Sequence, residues 1–410
     1  MAEEPVRFLD DVRVLEVANM APNQLAMHLA DLGAEVIKIE PPGRGDATRL
    51  VSRRPGFDDS ALHRRWNRGK KSIAVDMTRP EGVEVFLRLV PHVDVVIEGL
   101  RPGTLEKMGV SWKAMTDLNP RLVMIALSGF GQEGPYRDMP SHGIGFDAVA
   151  GLSNLDEDEH GRPRVVAEHI NIGTLVAPLL GATAVLAALS WTRRTGQPVF
   201  LDLSQADAAA FARLELEWDA AARSAAAAGI VEAPQPRPTG AAAPRASMQA
   251  YRTRDGEALL LMALERKFFV RLADAVGRPD LLDHVAADQY LVQGNKAIDD
   301  ALVEIIATRD LQEWMQVFAA ADVPVVPVNE GTRVLDDPHF RESIEWMPAA
   351  QGTVTMRTPV KTDPPTAIPR FAAAIGQDTL DVLSLIDMDA AEIERLTREG
   401  ILVVASTDND

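Results

Sequence analysis

An α/β fold is predicted, with a Rossmann-like parallel-sheet large domain and a smaller α/β domain. Three observations predict it. Short apolar runs of strand length recur at residues 12–17, 34–40, 94–98 and 122–127. Each is followed by a glycine- or proline-marked loop or a helix-compatible stretch, the alternation that builds parallel sheets. An Ala/Pro-rich stretch near the middle then holds too few large apolar residues to form a core.

The first unit shows the logic. Residues 12–17 (VRVLEV) read as a buried strand, and 21–32 (APNQLAMHLADL) as a helix with Pro22 in its first turn. Gly33 stops the helix, and 34–40 (AEVIKIE) supplies the next strand. Strand, helix and strand within about 30 residues imply parallel strands and a right-handed crossover. No G-x-G-x-x-G follows the first strand, which disfavours ordinary dinucleotide binding.

Next, Asn67-Arg68-Gly69-Lys70-Lys71 is a cationic turn leading into a strand, readable as an anion site or as an exposed basic turn. A strand at 94–98 ends in Gly99-Leu100-Arg101-Pro102-Gly103. The strand at 122–127 opens into a loop with five glycines and two prolines between Ser128 and Gly145. That loop carries His142, which by itself reads as a solvated surface histidine. Open α/β sheets place ligands in such loops, beyond the carboxyl ends of their strands. Residues 154–163 read as a polar turn, 175–189 as a buried helix, and 199–204 as a strand entering a helix at 206–215.

The expected domains are 1–220, the N-terminal part of the large domain, a linker at 221–246, a small α/β domain at 247–330, and a return segment with a C-terminal tail at 331–410.

Composition bounds the function. Apolar residues make up 46% and charged residues 25%, ordinary for a globular protein. The net charge of −18 argues against nucleic acid and anionic membrane, which both require a basic field. The basic residues between Arg44 and Arg79 point instead to a small anionic ligand or an acidic partner surface. With no cysteine there is no disulfide, thiolate nucleophile or thiolate metal site. The acidic N-terminus lacks a secretory pattern, and the apolar runs are too interrupted for a membrane span. A cytoplasmic setting is expected, with no metal site.

Several stretches resemble the class III CoA-transferases and their α-methylacyl-CoA racemase relatives. They include LADLGAEVIKIEPPGRGD, the NRGKK turn, the Arg101 loop and the TGQ turn at 195–197, and the likeness spans roughly residues 9–403. In the racemase branch a histidine stands seven residues after a Gly-Pro pair, with an aromatic four and a glycine nine residues beyond it. Here those are His142, Phe146 and Gly151.

The resemblance implies coenzyme A contacts from Lys38, Arg44, Asn67, Arg68, Lys70, Lys71 and Arg101, expected together at one sheet edge. It implies an interlocked homodimer, a coenzyme A thioester as substrate rather than a permanently bound cofactor, and a small carboxylic acid as second substrate. The transferases use an aspartate nucleophile; the racemases move an α-proton with a histidine. The aspartate's place falls between Asn171 and Thr174, where no residue is acidic; the nearest carboxylate is Glu168, beside His169.

Three readings follow. Glu168 substitutes for the aspartate in CoA transfer between an acyl-CoA and a carboxylic acid, which takes first place. His142 works instead as a racemase-like base, paired with Glu168 or His169. Or the chain is a catalytically silent CoA-ester binder. Glu265 resembles the glutamate that orients the racemase histidine, and otherwise reads as a solvated helix residue.

Overall fold

The computed structural model describes residues 5–166, 169–232, 246–292 and 294–405. The chain divides into two compact units, residues 1–235 with 344–410, and residues 236–343.

The first unit opens with β1 (Arg13–Ala18), α1 (Asn23–Asp31) and β2 (Glu35–Glu40), the βαβ unit that the sequence predicts. Pro22 stands just before α1, at its N-cap, where its missing N–H leaves no helical bond unmade. Gly33 is required: its φ is +103°, and a Cβ there would lie 2.7 Å from the Arg7 Cβ. The chain continues through α2 (Ala61–Trp66), β3 (Lys70–Val75), α3 (Pro80–Leu89), β4 (Val95–Gly99), α4 (Thr104–Lys107), α5 (Trp112–Leu118) and β5 (Val123–Ser128). After the glycine-rich loop come α6 (Gly143–Val149), a hairpin of β6 (Leu155–Glu157) and β7 (Pro163–Val165), α7 (Ile172–Thr195), β8 (Val199–Ser204), α8 (Gln205–Phe211) and α9 (Leu214–Ala227).

The polar turn read at 154–163 closes the β6–β7 hairpin. One element departs from the sequence reading. The Ala-rich beginning of the expected linker is the end of α9, because alanine favours a helix even where nothing is buried, and α9 buries no residue.

The second unit contains an antiparallel sheet of β9 (Met248–Arg252), β10 (Ala258–Met262) and β11 (Val325–Pro327), in the order β11-β10-β9. Helices α10 (Arg266–Ala275), α11 (Lys296–Ile306) and α12 (Leu311–Ala320) share its core, where Trp314 stacks on Phe318 with ring centroids 5.0 Å apart. Helix α13 (Pro338–Ser343) ends this unit. The chain then supplies the first unit with a hairpin of β12 (Trp346–Pro348) and β13 (Val354–Met356), then α14 (Thr379–Leu383), α15 (Ala390–Arg398) and β14 (Leu402–Val403).

The large sheet runs β14-β3-β2-β1-β4-β5-β8, parallel except for β14, which adds antiparallel to β3. Its central strands bury apolar residues on both faces, as a covered parallel sheet requires. One face packs under α1 and α7 around Val14, Val36, Ile97 and Ile125. The other packs under α3, α5, α14 and α15 around Leu15, Ile37, Val96 and Phe86. Strand order reverses between β1 and β4, which opens the crevice at their carboxyl ends.

Helix α7 meets the length and apolarity needed to cross a membrane, unlike the shorter interrupted run read from the sequence. Half of its most apolar window is buried inside the fold. Gly181 lets it approach the sheet: a Cβ there would lie 2.5 Å from Leu25. Pro178 cannot donate to the Thr174 carbonyl one turn back, and Gln24 Nε2 of α1 donates to that oxygen instead, at 2.8 Å. The replacement bond fastens the start of α7 to the start of α1.

Candidate active site

The carboxyl edge of the large sheet carries the loops after β1, β2, β3, β4 and β5. Exposed cations with no ion pair among the described residues stand in these loops, among them Arg44 after β2, Arg79 after β3, and Arg101 and Lys107 after β4. Arg79 and Lys107 escape a motif-based reading because they sit singly at helix ends. Their shared edge is visible only once the strands are in order.

The remaining expected coenzyme A contacts are placed differently. The NRGKK turn enters β3 at its amino end, so Arg68 and Lys71 stand at the opposite edge from Arg44 and Arg101. This corrects the expectation of a single edge. The reason is direction: in a parallel sheet, a turn before a strand and a turn after it face opposite ways. Arg68 forms a bidentate pair with Asp31 at the end of α1, and Lys71 pairs with Glu35 and Asp381.

Lys38, Lys70 and Asn67 belong to a buried polar cluster beneath α1. Lys38 Nζ meets Asp46 at 2.9 Å and donates to the Ala18 carbonyl and Asn23 Oδ1. Lys70 Nζ stands 2.8 Å from Glu16 and donates to the Asn23 carbonyl and Asn67 Oδ1. Glu40 holds Arg49 through two hydrogen bonds and accepts from Ser72 Oγ. Three carboxylates and three cations thus balance inside the fold, as buried charges must.

Burial alone would raise the Glu40 pKa, but the Arg49 pair outweighs it and holds the group at about 2. For Lys70 burial prevails over Glu16 and lowers the ammonium to about 8. Burial and the neighbouring Arg49 hold His63 neutral, with a pKa of about 3.

The second half of the site lies around the loop after β5. Gly129 admits Phe146 from α6, since a Cβ there would stand 2.7 Å from the ring. Phe130 packs edge-on against both Phe146 and Tyr136, giving the loop an apolar wall. His142 is the N-cap of α6 and is exposed. The Asn171 side chain lies against Gly143: a Cβ on that glycine would come 2.9 Å from Asn171 Nδ2. The structure therefore brings Asn171 beside the residue that follows His142.

Asn171 is the N-cap of α7, but its side chain does not cap the helix. Asp147 does so from α6, accepting from the Ile172 N–H at 2.7 Å and the Gly173 N–H at 2.8 Å. Its position suits the positive end of a long helix dipole. Gly173 admits this approach, for a Cβ there would lie 2.5 Å from the Gln205 carbonyl and 3.1 Å from Asp147 Oδ1. Asp147 is wholly buried and also meets His169 Nε2 at 2.8 Å. Sequence reading passes over it as an ordinary helix residue, since no local signal marks a carboxylate that caps a helix 25 residues away.

Glu168 lies outside the described residues. Glu265 stands in the second unit, as the N-cap of α10.

Glu98 ends β4 beside the crevice. It is buried, its Oε1 has no hydrogen-bond partner, and burial with nearby Glu106 pushes its pKa up to about 7. A raised carboxyl pKa contributes stability below the ordinary value of 4.5 and loses it as pH rises through 7. Glu98→Gln is therefore expected to stabilise the protein at pH 8.5 by up to about 3 kcal/mol, and by little at pH 5. Denaturant midpoints of both proteins at the two pH values check this; an equal gap at both would contradict it.

The fold and sequence have counterparts among known proteins. The model of CoA-transferase family III matches residues 9–379, and the chain belongs to that family. A succinyl-CoA–D-citramalate CoA-transferase of Chloroflexus aurantiacus is 34% identical over 350 residues, covering 84% of this chain and 84% of its own. The human alpha-methylacyl-CoA racemase is 28% identical over 406 residues, covering 96% of this chain and 97% of its own. The crystal structure of Rv3272 from Mycobacterium tuberculosis aligns with a TM-score of 0.74 at 28% identity, covering 92% of this chain and 99% of that one.

Proposed function

We propose that this protein acts on an acyl-CoA thioester and that its site moves a proton at the acyl α-carbon. One observation carries the reading. The family resemblance places a nucleophilic aspartate between Asn171 and Thr174, where no residue is acidic, and Asp147 beside that stretch is buried and committed to three hydrogen bonds. An amide cannot form an acyl anhydride, and a carboxylate so enclosed is poorly placed to attack a thioester. Among the described residues, the exposed His142 and the partly buried His169 offer imidazole near this stretch, the usual carrier of protons near neutral pH. Deuterium wash-in at the α-carbon of 2-methylpropanoyl-CoA, with no carboxylate acceptor present, tests it. Absence of wash-in would refute the proposal.

Coenzyme A would lie along the carboxyl edge, its phosphates met by Arg44, Arg79, Arg101 and Lys107. Arg101→Ala is expected to weaken coenzyme A binding by about 1.5–3 kcal/mol, the range for a charge-assisted hydrogen bond. Calorimetry checks this, and unchanged affinity in both Arg101→Ala and Arg44→Ala would remove the edge from consideration. Lys38 and Lys70 act in this reading as the buried support of that edge rather than as contacts.

A second reading is CoA transfer to a carboxylic acid with Glu168 as nucleophile. It is favoured by relatives that carry the name CoA-transferase, such as the one from Chloroflexus aurantiacus.

The protein is proposed to work as a homodimer. Helix α9 buries nothing and exposes Leu214, Leu216 and Trp218, while α7 exposes Leu175, Leu179 and Trp191. Apolar faces of this extent mark protein interfaces. Sedimentation at nanomolar protein is expected to show a dimer, and a folded monomer there would contradict it.

A further inference from the structure

His169 is two residues from Asn171 and shares its surroundings, yet the cap of α7 does not need it. Asp147 already receives two backbone N–H groups from that helix, one on each carboxylate oxygen. The third bond, from His169 Nε2 to Asp147 Oδ2 at 2.8 Å, therefore acts on the histidine. A carboxylate that accepts from two amides presents an acceptor to the ring, so the hydrogen of a neutral imidazole sits on Nε2. Nδ1 is then the ring atom free to take a proton. The His169 side chain is 9% exposed and its partner 0%, so the ring is held from its buried side. This is the arrangement in which a buried carboxylate orients a histidine for proton transfer.

We propose that His169, oriented by Asp147, is a second proton-transfer residue of this site, acting on an acyl-CoA thioester from a different side than His142. The inference rests on the proton-transfer reading above. In the step, one neutral imidazole takes the α-proton, and the C–H electron pair moves into the thioester to form an enolate. The other imidazole, carrying a proton, returns it to the opposite face, and the enolate electrons re-form the C–H bond. Nothing is oxidised or reduced, and the product differs only in configuration at the α-carbon. Asp147 is a positioning residue here, since it touches the ring and not the substrate.

The test uses the full-length protein with (2S)-2-methylbutanoyl-CoA in deuterated water. Wild type is expected to take up deuterium at the α-carbon with inversion. His169→Gln keeps an N–H for Asp147 but has no basic ring atom. It is expected to lose inversion by 100-fold or more, with coenzyme A affinity and melting temperature unchanged. Exchange with retention through His142 would persist, and one ionisation would leave the pH profile. Should the Gln variant melt earlier than wild type, His169→Asn serves as the second variant under the same readouts. Inversion within twofold of wild type, with an unchanged pH profile, would show that His169 is structural and overturn the proposal. No deuterium uptake by wild type would instead overturn the underlying proton-transfer reading, and this inference with it.

Discussion

His142→Ala is expected to lower α-deuterium exchange on (2S)-2-methylbutanoyl-CoA, the hand whose α-proton His142 takes, by 10²–10⁴-fold, the usual contribution of a positioned acid–base group. His142 is exposed, caps α6 with backbone rather than side chain, and lies in a loop whose shape depends on Gly129 and Phe146. Losing its imidazole should therefore leave fold and coenzyme A affinity intact. The effect belongs in the exchange rate and not in binding. Steady-state exchange with calorimetry on the same variant separates the two. Equal exchange in wild type and variant would remove His142 from the chemistry.

Lys38→Met is expected to have the largest effect on stability, about 3–5 kcal/mol, the range for removing one partner of a buried ion pair. Methionine fills much of the volume but leaves Asp46 and Glu16 without the ammonium that joins them. Their attraction more than offsets the burial penalty on Lys38, so its pKa lies above the ordinary value. The same cluster contributes to stability in acid. Glu40 titrates at about 2 against an ordinary 4.5, so its stabilisation is full above 4.5 and fades as pH falls towards 2. That single group accounts for about 3 kcal/mol between those limits. Urea midpoints at pH 7 for Lys38→Met would check the first statement; a change below 1 kcal/mol would contradict it.

Much of the large unit is legible in the sequence because its elements are local. The strands at 13–18, 35–40, 95–99 and 123–128 are short, mostly apolar runs, and α1 is bounded by Pro22 and Gly33. What is not legible depends on residues far apart in the chain. The partner of Lys38 is on the loop after β2, that of Arg68 at the end of α1, and that of Lys71 both 36 and 310 residues away. A run of cations therefore reads as one anion site although its charges are already spent inside the protein. Asp147 is hidden for the same reason: what it caps begins on another element. His142 and Asn171 are found from motif spacing, but the placing of Asn171 against Gly143, next in the chain after His142, comes from the packing of α6 against the start of α7.

The most direct test of proton transfer without a covalent enzyme–acyl bond is one incubation read twice. Wild-type protein is mixed with 2-methylpropanoyl-CoA in deuterated water without acceptor and quenched. Mass spectrometry then follows both the thioester and the intact protein. Deuterium at the α-carbon with an unmodified protein mass is the predicted result. An acyl or coenzyme A adduct on Glu168, trapped by hydroxylamine or borohydride, with no deuterium in the thioester would contradict it.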